Sequence, residues 1–493
     1  MKDWMLTMNK FSKRFAYYQI FIGFIIALFA GFYFFEIFAT TDDSEIINVK
    51  SGLISGTISF LVTLLLFIIY AFLFNKISYY ELNEDKIVCK RGVLFQKKSS
   101  ILLNKIHTIN IKQGIIQKLF KVASLKIDSG SANSLNEEIS IYTSQDEVLS
   151  LYNKLKGYDK KTENSKINES MYSFKDSNKI IYSLINTIFS IVLLVLIIIY
   201  IELVAYFSIN GSFLPFNDII IITILLLFTF FILNVIAIFA KYYNFNIKKR
   251  DNEMEINYGF FVKYHNTFKL DKVKSIIICN NIIQKLFGYV KVKIQVIGYL
   301  QDSDNAQSSY GKSVGVLIPL CKRKDVQDLI NKIIPEYSFS SKENKPFKFF
   351  PFISLRFLFV SISFAILEFI NLVVKNIFII KDNDFLVSSM AILIVYIALL
   401  IIMLCSAVLK YNYSGINIKD DKVTIYKGGF FQAIVVIDVK NIIAIQTITT
   451  KLRQKNKINS YVIHYATNAL TNTVKVEMLN EEVYTKLVNA IKY

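Results

Sequence analysis

The sequence contains few of the residues from which metal centres and catalytic sites are usually built. Among its 493 residues are only 4 Cys and 3 His. The cysteines form no CxxC pair, which argues against a cysteine zinc site and against structural disulfides. The histidines His107, His265 and His464 lie far apart, so none has a second metal ligand nearby in the sequence. We therefore expect no bound metal and no cofactor.

Sequence signatures of the common enzyme classes are also missing. Gly311-Lys312-Ser313 resembles the end of a phosphate-binding loop, but Ala306 stands where that loop requires glycine. The sequence has neither a Gly-x-Ser-x-Gly elbow nor a His-Glu-x-x-His helix. We expect no catalytic residues and predict that the chain is not an enzyme.

Long apolar runs are what the sequence has in abundance, since 53% of its residues are hydrophobic. Six runs reach or exceed the ~20 apolar residues that a helix needs to cross the hydrocarbon core of a bilayer. The first run is too long for a signal peptide and is soon followed by another, so we expect it to stay in the mature protein. The predicted spans are Phe15–Phe38, Leu53–Phe74, Ile180–Phe207, Ile219–Ala240, Phe352–Val374 and Leu386–Leu409.

Positive charge is distributed unevenly between the segments that join these runs. The net charge is +19, and nearly all of the 57 Lys and Arg lie in the N-terminal stretch and the three long segments. The short segments 39–52, 208–218 and 375–385 are neutral to acidic. This alternation is the positive-inside pattern, and it predicts a multi-pass protein of the cell membrane with both termini cytoplasmic. The positive charge then suits anionic lipid headgroups, and because basic and aromatic residues do not alternate we expect no nucleic-acid partner.

An internal repeat determines the predicted architecture. Ile115–Phe120 recurs as Ile282–Phe287, 167 residues later. A third copy is weaker and combines Gly428-Gly429 with Ile448–Leu452. Each unit contributes two spans, so successive units enter the membrane in the same orientation. The positions that mark the repeat motif are Gly92, Gln117 and Lys118 in the first copy and Gly259, Gln284 and Lys285 in the second.

The long segment after each pair of spans has the pattern of a small β-rich domain closed by a helix. Runs such as Val290–Val296 and Lys422–Tyr426 are rich in β-branched residues and partly alternate. The repeated glycines suit hairpin turns that need a positive φ. Amphipathic helices are predicted at the end of each domain, over Asp146–Leu155, Lys324–Ile334 and Asn480–Ile491.

These features together resemble the bacterial pleckstrin-homology (PH) domain. The resemblance rests on the strand-turn-strand around glycine, on steps such as Leu103-Asn104-Lys105, and on the Ile-Gln-Lys-Leu-Phe stretch. Three such domains, each after two spans, resemble the YdbT-like membrane proteins. The resemblance implies a seven-stranded β-sandwich with a C-terminal helix, no known catalytic residues, and a smaller membrane protein with one such unit as partner. Some relatives look like factors that protect cells against membrane-active bacteriocins.

We therefore predict an α+β membrane protein with six transmembrane helices in three hairpins, each followed by a PH-like β-sandwich that a C-terminal helix closes. The predicted boundaries are 1–74 for hairpin 1, 75–158 for PH-like domain 1, 159–179 for a polar linker, 180–240 for hairpin 2, 241–335 for PH-like domain 2, 336–351 for a second linker, 352–409 for hairpin 3 and 410–493 for PH-like domain 3.

Three acidic residues interrupt the predicted spans at equivalent positions. Glu36, Glu202 and Glu368 lie 166 residues apart, in the first, third and fifth spans. A charged residue within the bilayer costs at least ~2.5 kcal/mol on insertion scales, so its presence in three copies indicates an acidic site for cations, cationic peptides or a partner helix. The alternative is structural, because Glu36 lies near a helix end and Asn371 is placed to hydrogen-bond to Glu368.

Small residues mark one face of the first two spans. Gly23, Ala27 and Gly31 recur every fourth position in the first, and Gly52 and Gly56 begin the second. Such spacing allows helix backbones to approach closely. We interpret these residues as packing sites within the first hairpin, with docking of a separate protein as the alternative.

The preferred hypothesis is a non-enzymatic bacterial membrane scaffold whose cytoplasmic PH-like domains bind protein partners or lipid headgroups. Its biological role would be envelope defence or immunity to membrane-active bacteriocins. The alternative is a subunit of a transporter or channel that uses the intramembrane glutamates, and a lipid-processing enzyme is a second rival. The expected partners are membrane lipids with anionic headgroups, a smaller membrane protein with one PH-like unit, and cationic peptides.

Overall fold

The computed structural model divides into two compact units. Unit 1 comprises residues 1–175, 236–272 and 297–300, and unit 2 comprises residues 176–235, 273–296 and 301–493. The residues that the structure describes are 9–39, 49–129, 139–157, 170–188, 216–250, 252–296, 314–339, 344, 346, 354–378, 382–419, 421–466 and 472–492.

Helices and strands alternate along the chain in the order expected for a repeated unit. The helices are α1 (Lys13–Ala39), α2 (Val49–Ile77), α3 (Ile115–Leu119), α4 (Gln145–Gly157), α5 (176–188), α6 (Phe216–Lys241), α7 (Ile282–Leu286), α8 (Val326–Ile333), α9 (Ser354–Phe378), α10 (Asp382–Tyr413), α11 (Lys451–Lys455) and α12 (Glu482–Lys492).

Apart from the short strands Asn9–Lys10 and Ser170–Ser173, the strands form groups of three that follow the long helices. They are β1 (Asn9–Lys10), β2 (Tyr79–Leu82), β3 (Lys86–Arg91), β4 (Lys97–Leu102), β5 (Thr108–Gln113), β6 (Val122–Asp128), β7 (Ile139–Ser144), β8 (Ser170–Ser173), β9 (Asn246–Arg250), β10 (Glu253–Tyr258), β11 (Lys263–Lys269), β12 (Val273–Asn280), β13 (Tyr289–Val296), β14 (Val314–Lys322), β15 (Gly415–Lys419), β16 (Lys422–Lys427), β17 (Gln432–Asp438), β18 (Ile442–Ile448), β19 (Ile458–Tyr465) and β20 (Asn472–Asn480).

Four helices in the described part of the chain are long and apolar enough to cross a membrane. Their spanning segments are Lys13–Ala39, Val49–Ile77, Phe357–Asn376 and Ile392–Tyr413, which correspond to the first, second, fifth and sixth predicted spans. Most of the third predicted span lies outside the described residues. The fourth coincides with α6, of which the stretch Leu227–Lys241 counts as a shorter apolar helix.

Helices α1 and α2 pack against each other through small residues. A Cβ atom added to Gly56 would lie 2.7 Å from the carbonyl oxygen of Gly31, and one added to Gly23 would lie 2.4 Å from the Phe67 side chain. A Cβ atom added to Gly52 would lie 2.9 Å from the Cβ of Ala39. Ala27 is fully buried. The two helix backbones therefore approach each other more closely than larger side chains would permit.

Each repeat builds two antiparallel three-stranded meanders joined by a short 3-10 helix. The first repeat uses β2–β4 and then β5–β7, the second β9–β11 and then β12–β14, and the third β15–β17 and then β18–β20. A helix follows each second meander: α4, α8 and α12. Unit 1 contains the first meander of the second repeat, whereas unit 2 contains its second meander.

In the first repeat the two meanders and α4 enclose one apolar core. Ile87 from β3, Leu125 from β6 and Ile141 from β7 are completely buried in it. On α4, the residues Val148, Leu151, Tyr152 and Leu155 are buried on one face, which confirms the predicted amphipathic helix. Phe11, Phe15 and Phe74 extend the same core into the base of the first hairpin. The first hairpin and the β-domain that follows it therefore share one packed core.

The third repeat has an equivalent core in unit 2. Tyr461 and Tyr465 of β19 are fully buried there, and Val483 and Leu487 of α12 cover them. Ile277, which belongs to β12 of the second repeat, is part of this core as well. A strand from the preceding repeat therefore completes the domain.

Sheets continue from one repeat into the next, an arrangement that the sequence analysis did not anticipate. Strand β5 pairs antiparallel with β11, which makes one sheet in the order β7-β6-β5-β11-β10-β9-β8. Strand β12 pairs antiparallel with β17, which makes a second sheet in the order β14-β13-β12-β17-β16-β15. We name these pairings the first junction and the second junction. Each joins the second meander of one repeat to the first meander of the next.

The repeated glycines occupy the turns between the second and third strands of each first meander. Gly92, Gly259 and Gly429 have φ angles of 107°, 105° and 129°, which confirms the predicted positive φ. A Cβ atom added to Gly92 would lie 2.0 Å from the carbonyl oxygen of Phe95, and one added to Gly259 would lie 1.9 Å from that of Val262. Only glycine fits these positions without moving the turn.

We predict that Gly92→Ala and Gly259→Ala each destabilise the protein by about 1–3 kcal/mol, because the added methyl group meets both an unfavourable φ and a backbone oxygen. Thermal unfolding of the detergent-solubilised chain measures the effect. Gly114→Ala is the matched control, since Gly114 has a φ of −76° and its nearest neighbour would lie 3.7 Å away. Equal melting temperatures for all three variants would contradict the proposed role of the turn.

Candidate functional site

A pocket lies where the first hairpin meets the β-strands of the same unit. The beginning of α1 and the end of α2 form one wall, and β3, β5, β6, β7 and α3 form the other. Its volume is about 540 Å³. We name it the hairpin pocket and define it by the lining residues Tyr18, Gln19, Arg91, Lys112, Lys126 and Tyr142.

Three basic side chains line the hairpin pocket, and they come from three different strands. Arg91 ends β3, Lys112 lies in β5 and Lys126 lies in β6. All three are half-buried. Opposite charges attract each other more strongly in a partly desolvated pocket than in water, so an anion would be stabilised beside these three cations. The electrostatics of the pocket therefore favour a negatively charged ligand.

Aromatic rings and one amide complete the lining of the hairpin pocket. Phe15 stacks on Tyr142 with ring centroids 4.8 Å apart, and Tyr18 also stacks on Phe15, at 5.7 Å. The side-chain oxygen of Gln19 is buried and has no hydrogen-bond partner within the described structure. A buried acceptor of this kind is costly unless a donor reaches it. The pocket thus offers a cationic side, an apolar side and a site for a hydroxyl or ammonium donor.

The hairpin pocket lies at the ends of two membrane-spanning helices. α1 begins at Lys13, only a few residues before Tyr18, and α2 ends at Ile77, soon after Tyr70 and Phe74. The ends of spanning helices lie in the headgroup region of a bilayer. Basic pockets at this depth are suited to the headgroups of anionic lipids.

The second repeat places a related basic cluster at the start of α5. Lys291 and Lys293 lie in β13, and Lys293 is the equivalent of Lys126 at the shift of 167 residues. The ammonium of Lys291 lies 3.4 Å from the hydroxyl of Tyr182. Burial of the ammonium, with Lys291 nearby, lowers the pKa of Lys293 from its usual value. The second cluster would therefore also gain from an anionic ligand.

The third repeat has a cluster in which a carboxylate is already present. Lys410 and Lys475 lie 3.5 Å and 3.4 Å from the carboxylate of Glu477. Lys427 ends β16 as Arg91 ends β3, so it is the equivalent of Arg91 in the third repeat. Burial and the nearby charge of Lys410 lower the pKa of Lys427. Because Glu477 neutralises part of this charge, the third cluster is less suited to an external anion than the first.

Apolar side chains are exposed at the turn that contains the repeated glycine of each repeat. Leu94 and Phe95 are 87% and 92% exposed in the first repeat. In the second repeat Phe260 and Phe261 are exposed, and the amide of Phe260 donates to the carbonyl of Ala240 near the end of α6 at 2.8 Å. Phe431 is exposed in the third. Exposed aromatic and aliphatic groups near the end of an apolar helix are suited to insertion into the membrane interface.

The repeat motif forms a short helix whose glutamine caps the preceding turn. The side chain of Gln117 accepts from the amide of Gly114 at 2.9 Å, and that of Gln284 accepts from the amide of Asn281 at 3.2 Å. Lys118 lies 5.6 Å from the ring of Phe260 and Lys285 lies 6.0 Å from the ring of Tyr413. These four motif residues therefore hold local structure, and the lysines reach aromatic residues of the next repeat.

The predicted intramembrane glutamates are only partly described. Glu202 lies outside the described residues, so the structure does not bring the three carboxylates together or separate them. Glu368 accepts from the hydroxyl of Ser389 at 3.2 Å, and Asn371 donates to the same hydroxyl at 3.0 Å. This chain of hydrogen bonds links α9 to α10. It provides Glu368 with a polar partner inside the predicted bilayer.

No group of three or more His, Cys, Asp or Glu side chains in the described ranges is placed to hold a metal ion. The stretch Gly311-Lys312-Ser313 lies outside those ranges.

The basic pocket residues were missed at the sequence level, although one signal for them existed. Arg91, Lys112 and Lys126 stand on three strands, and no motif spacing connects them. Arg91 and Lys112 are not repeated in the second copy, since Tyr258 and Cys279 stand at their equivalent positions. The pair Lys126 and Lys293, however, is such a repeat, and aligning the strands after the motif would have found it.

Comparison with known proteins agrees with the repeated architecture. The family model described as bacterial PH domain matches the chain three times, over residues 17–158, 183–336 and 359–493. The chain is also 23% identical over 286 residues to a curated protein of Bacillus subtilis (strain 168), the UPF0699 transmembrane protein YdbT. That alignment covers 52% of this chain and 56% of the relative, so the chain spans little more than half of the relative's length.

We predict that the turn after Gly92 contacts lipid. In a Trp4→Phe background, which removes the single native tryptophan, Phe95→Trp should give blue-shifted emission in bilayers and strong quenching by brominated lipids. Glu84→Trp is the control, because this exposed residue lies in the turn at the opposite end of the β2–β4 meander. Equal quenching of the two tryptophans would show that the Gly92 turn has no preference for the membrane.

Proposed function

This chain belongs to the bacterial PH domain family, and we propose from that premise that it is a non-catalytic membrane scaffold whose PH-like domains bind anionic lipid headgroups. The observation that carries the proposal is the hairpin pocket. It combines Arg91, Lys112 and Lys126 with an apolar wall at the end of two spanning helices. A lipid headgroup with a phosphate matches the cations, and its acyl chains match the helix surface.

The proposal includes the full membrane arrangement expected from the sequence. Six spans in three hairpins would place all three β-domains on the cytoplasmic side of the cell membrane, where anionic lipids create a negative surface potential. The lysine-rich N-terminal stretch and long segments support this orientation. The exposed apolar turns would then insert beside the headgroups that the basic clusters bind.

The three repeats would contribute unequally to lipid binding. The first offers three cations, and the second offers Lys291 and Lys293. In the third, the carboxylate of Glu477 neutralises part of the positive charge of the lysines. A lysine or arginine near an anionic surface contributes about 1 kcal/mol. The first pocket should therefore dominate the affinity.

Envelope defence, with immunity to membrane-active bacteriocins, stays our hypothesis for the biological role. A scaffold that occupies anionic lipid at the inner leaflet, and that recruits a smaller membrane protein with one PH-like unit, would suit that role. Cationic peptides as direct ligands would require the three glutamates to converge. The transporter alternative has less support, because Glu368 already has hydrogen-bond partners in the neighbouring helix.

We predict that Arg91→Gln combined with Lys126→Gln weakens binding of phosphatidylglycerol or cardiolipin by about 2 kcal/mol, roughly thirty-fold in affinity, since two of three cations are lost. Native mass spectrometry of the full chain in mixed-lipid nanodiscs measures the bound lipid. The matched control is Lys86→Gln combined with Lys105→Gln, which removes the same charge from exposed positions outside the pocket. Equal losses would indicate diffuse attraction to net charge, and no loss in either variant would refute the site.

Membrane orientation has a separate test. We predict that a cysteine at Ser44 in intact cells reacts with a membrane-impermeant maleimide, and that one at Lys154, exposed on α4, reacts only after the cells are opened. The expected difference follows from the low positive charge of segment 39–52. The reverse labelling pattern would place the β-domains on the outer side and exclude binding to the inner leaflet.

A further inference from the structure

The two junctions between repeats share one pairing register. In the first, Thr108 is opposite Phe268, and in the second, Ser275 is opposite Ile437. Thr108 and Ser275 are equivalent, because each stands five residues after the start of the 3-10 helix that joins the two meanders of its repeat. Phe268 and Ile437 are equivalent by the same measure, each two residues before that helix. Strand pairing between successive repeats is therefore a built-in property of the unit.

Each junction joins two specific strands of the unit. The donor edge is the first strand of a second meander (β5 or β12), and the acceptor edge is the third strand of the next repeat's first meander (β11 or β17). Three repeats have three donor edges and three acceptor edges, but two junctions use only two of each. The remaining acceptor edge is β4 of the first repeat, and the remaining donor edge is β18 of the third. In the sheets of the described residues, β4 pairs only with β3 and β18 only with β19.

The side chains of these two strands are exposed where those of their equivalents are buried. Ile443 in β18 is 59% exposed, and five of the seven β18 residues are exposed. In β12, the equivalent strand, six of eight residues are buried. Leu102 in β4 is 49% exposed, whereas all but one residue of β17 are buried. An edge strand of this kind presents its backbone N–H and C=O groups for pairing with another strand.

We propose that β18 of one chain pairs antiparallel with β4 of a second copy, which extends the inter-repeat junction from within the chain to between chains. The shared register fixes the contacts: Ala444 lies opposite Ile101 of the second copy, Gln446 opposite Ser99, and Thr447 opposite Lys98. The middle pair, Gln446 with Ser99, repeats the polar character of Asn110 with Asn266 at the first junction. The equivalent pair at the second junction, Ile277 with Val435, is apolar, so the shared register, and not side-chain polarity, specifies the alignment.

A second copy is the occupant that the two free edges specify. Strand β18 is a donor edge and β4 is an acceptor edge, so β18 of one chain can pair with β4 of another. Pairing β4 with β4, or β18 with β18, would join two edges of one type, which neither internal junction does. Copies in the same membrane share one orientation, as successive repeats do. The contact is head-to-tail, and such contacts build rings when the rotation closes and open chains when it does not.

The test uses cysteine pairs in the full chain, with Thr447→Cys in one copy and Lys98→Cys in a differently tagged copy. Both positions are exposed, and their Cα atoms in an antiparallel pair would lie within disulfide range. Cys405→Ser removes the exposed native cysteine. Burial raises the pKa of Cys89 to about 11 and of Cys321 to about 12, so these native thiols react slowly. Mild oxidation in membranes that contain both copies should shift a substantial part of the protein to a band of twice the mass that carries both tags, since only contacts between unlike copies bring the two cysteines together.

The control replaces Lys98→Cys with Glu84→Cys, which is also exposed but stands in the turn between β2 and β3, outside β4 and out of register with Thr447. Equal cross-linking of the control would mean random collision and would overturn the proposal. A cross-link that forms within one chain carrying both substitutions, without a change in mass, would show that the free edges pair intramolecularly. Cross-linking of Thr447→Cys to another membrane protein in preference to a second copy, or a monomer with no cross-link, would equally overturn it.

Discussion

Every strand edge in this protein poses the same constraint: backbone N–H and C=O groups need partners, and a three-stranded meander leaves two rows of them open. The chain meets that constraint between repeats rather than within them, through β5 with β11 and β12 with β17. Backbone pairing depends little on side-chain identity. The junctions therefore persist although their side chains differ, from Asn110 with Asn266 to Ile277 with Val435.

This pairing brings membrane anchoring and domain association into one structure. Strand β5 forms a wall of the hairpin pocket through Lys112, and the same residue is opposite Tyr264 at the first junction, with its ammonium 5.8 Å from the tyrosine ring. A ligand that moves Lys112 would change the contact between repeats. Phe15 links the same region to α1, because it stacks on Tyr142 of β7. The pocket, the hairpin and the sheet thus meet at a few side chains.

Local patterns predicted much of this structure, because they depend on neighbouring residues alone. Gly92 and Gly259 indicated tight turns, and the spacing of Val148, Leu151 and Leu155 indicated α4. The junctions were not predictable in this way. A β-branched strand has the same pattern whether its neighbour belongs to its own repeat or to the next. The hairpin pocket could not be predicted from the sequence for a related reason. Its cations come from separate strands, which only the folded structure brings together.

The identical register of the two junctions has a consequence for how such a chain can evolve. Because β5 and β12 present equivalent edges, and β11 and β17 accept them in one alignment, a unit can be inserted or removed between two others without redesigning the contact. Gene duplication then lengthens the array one hairpin and one domain at a time. The number of units becomes a variable that selection can adjust, while the geometry of each connection stays constant.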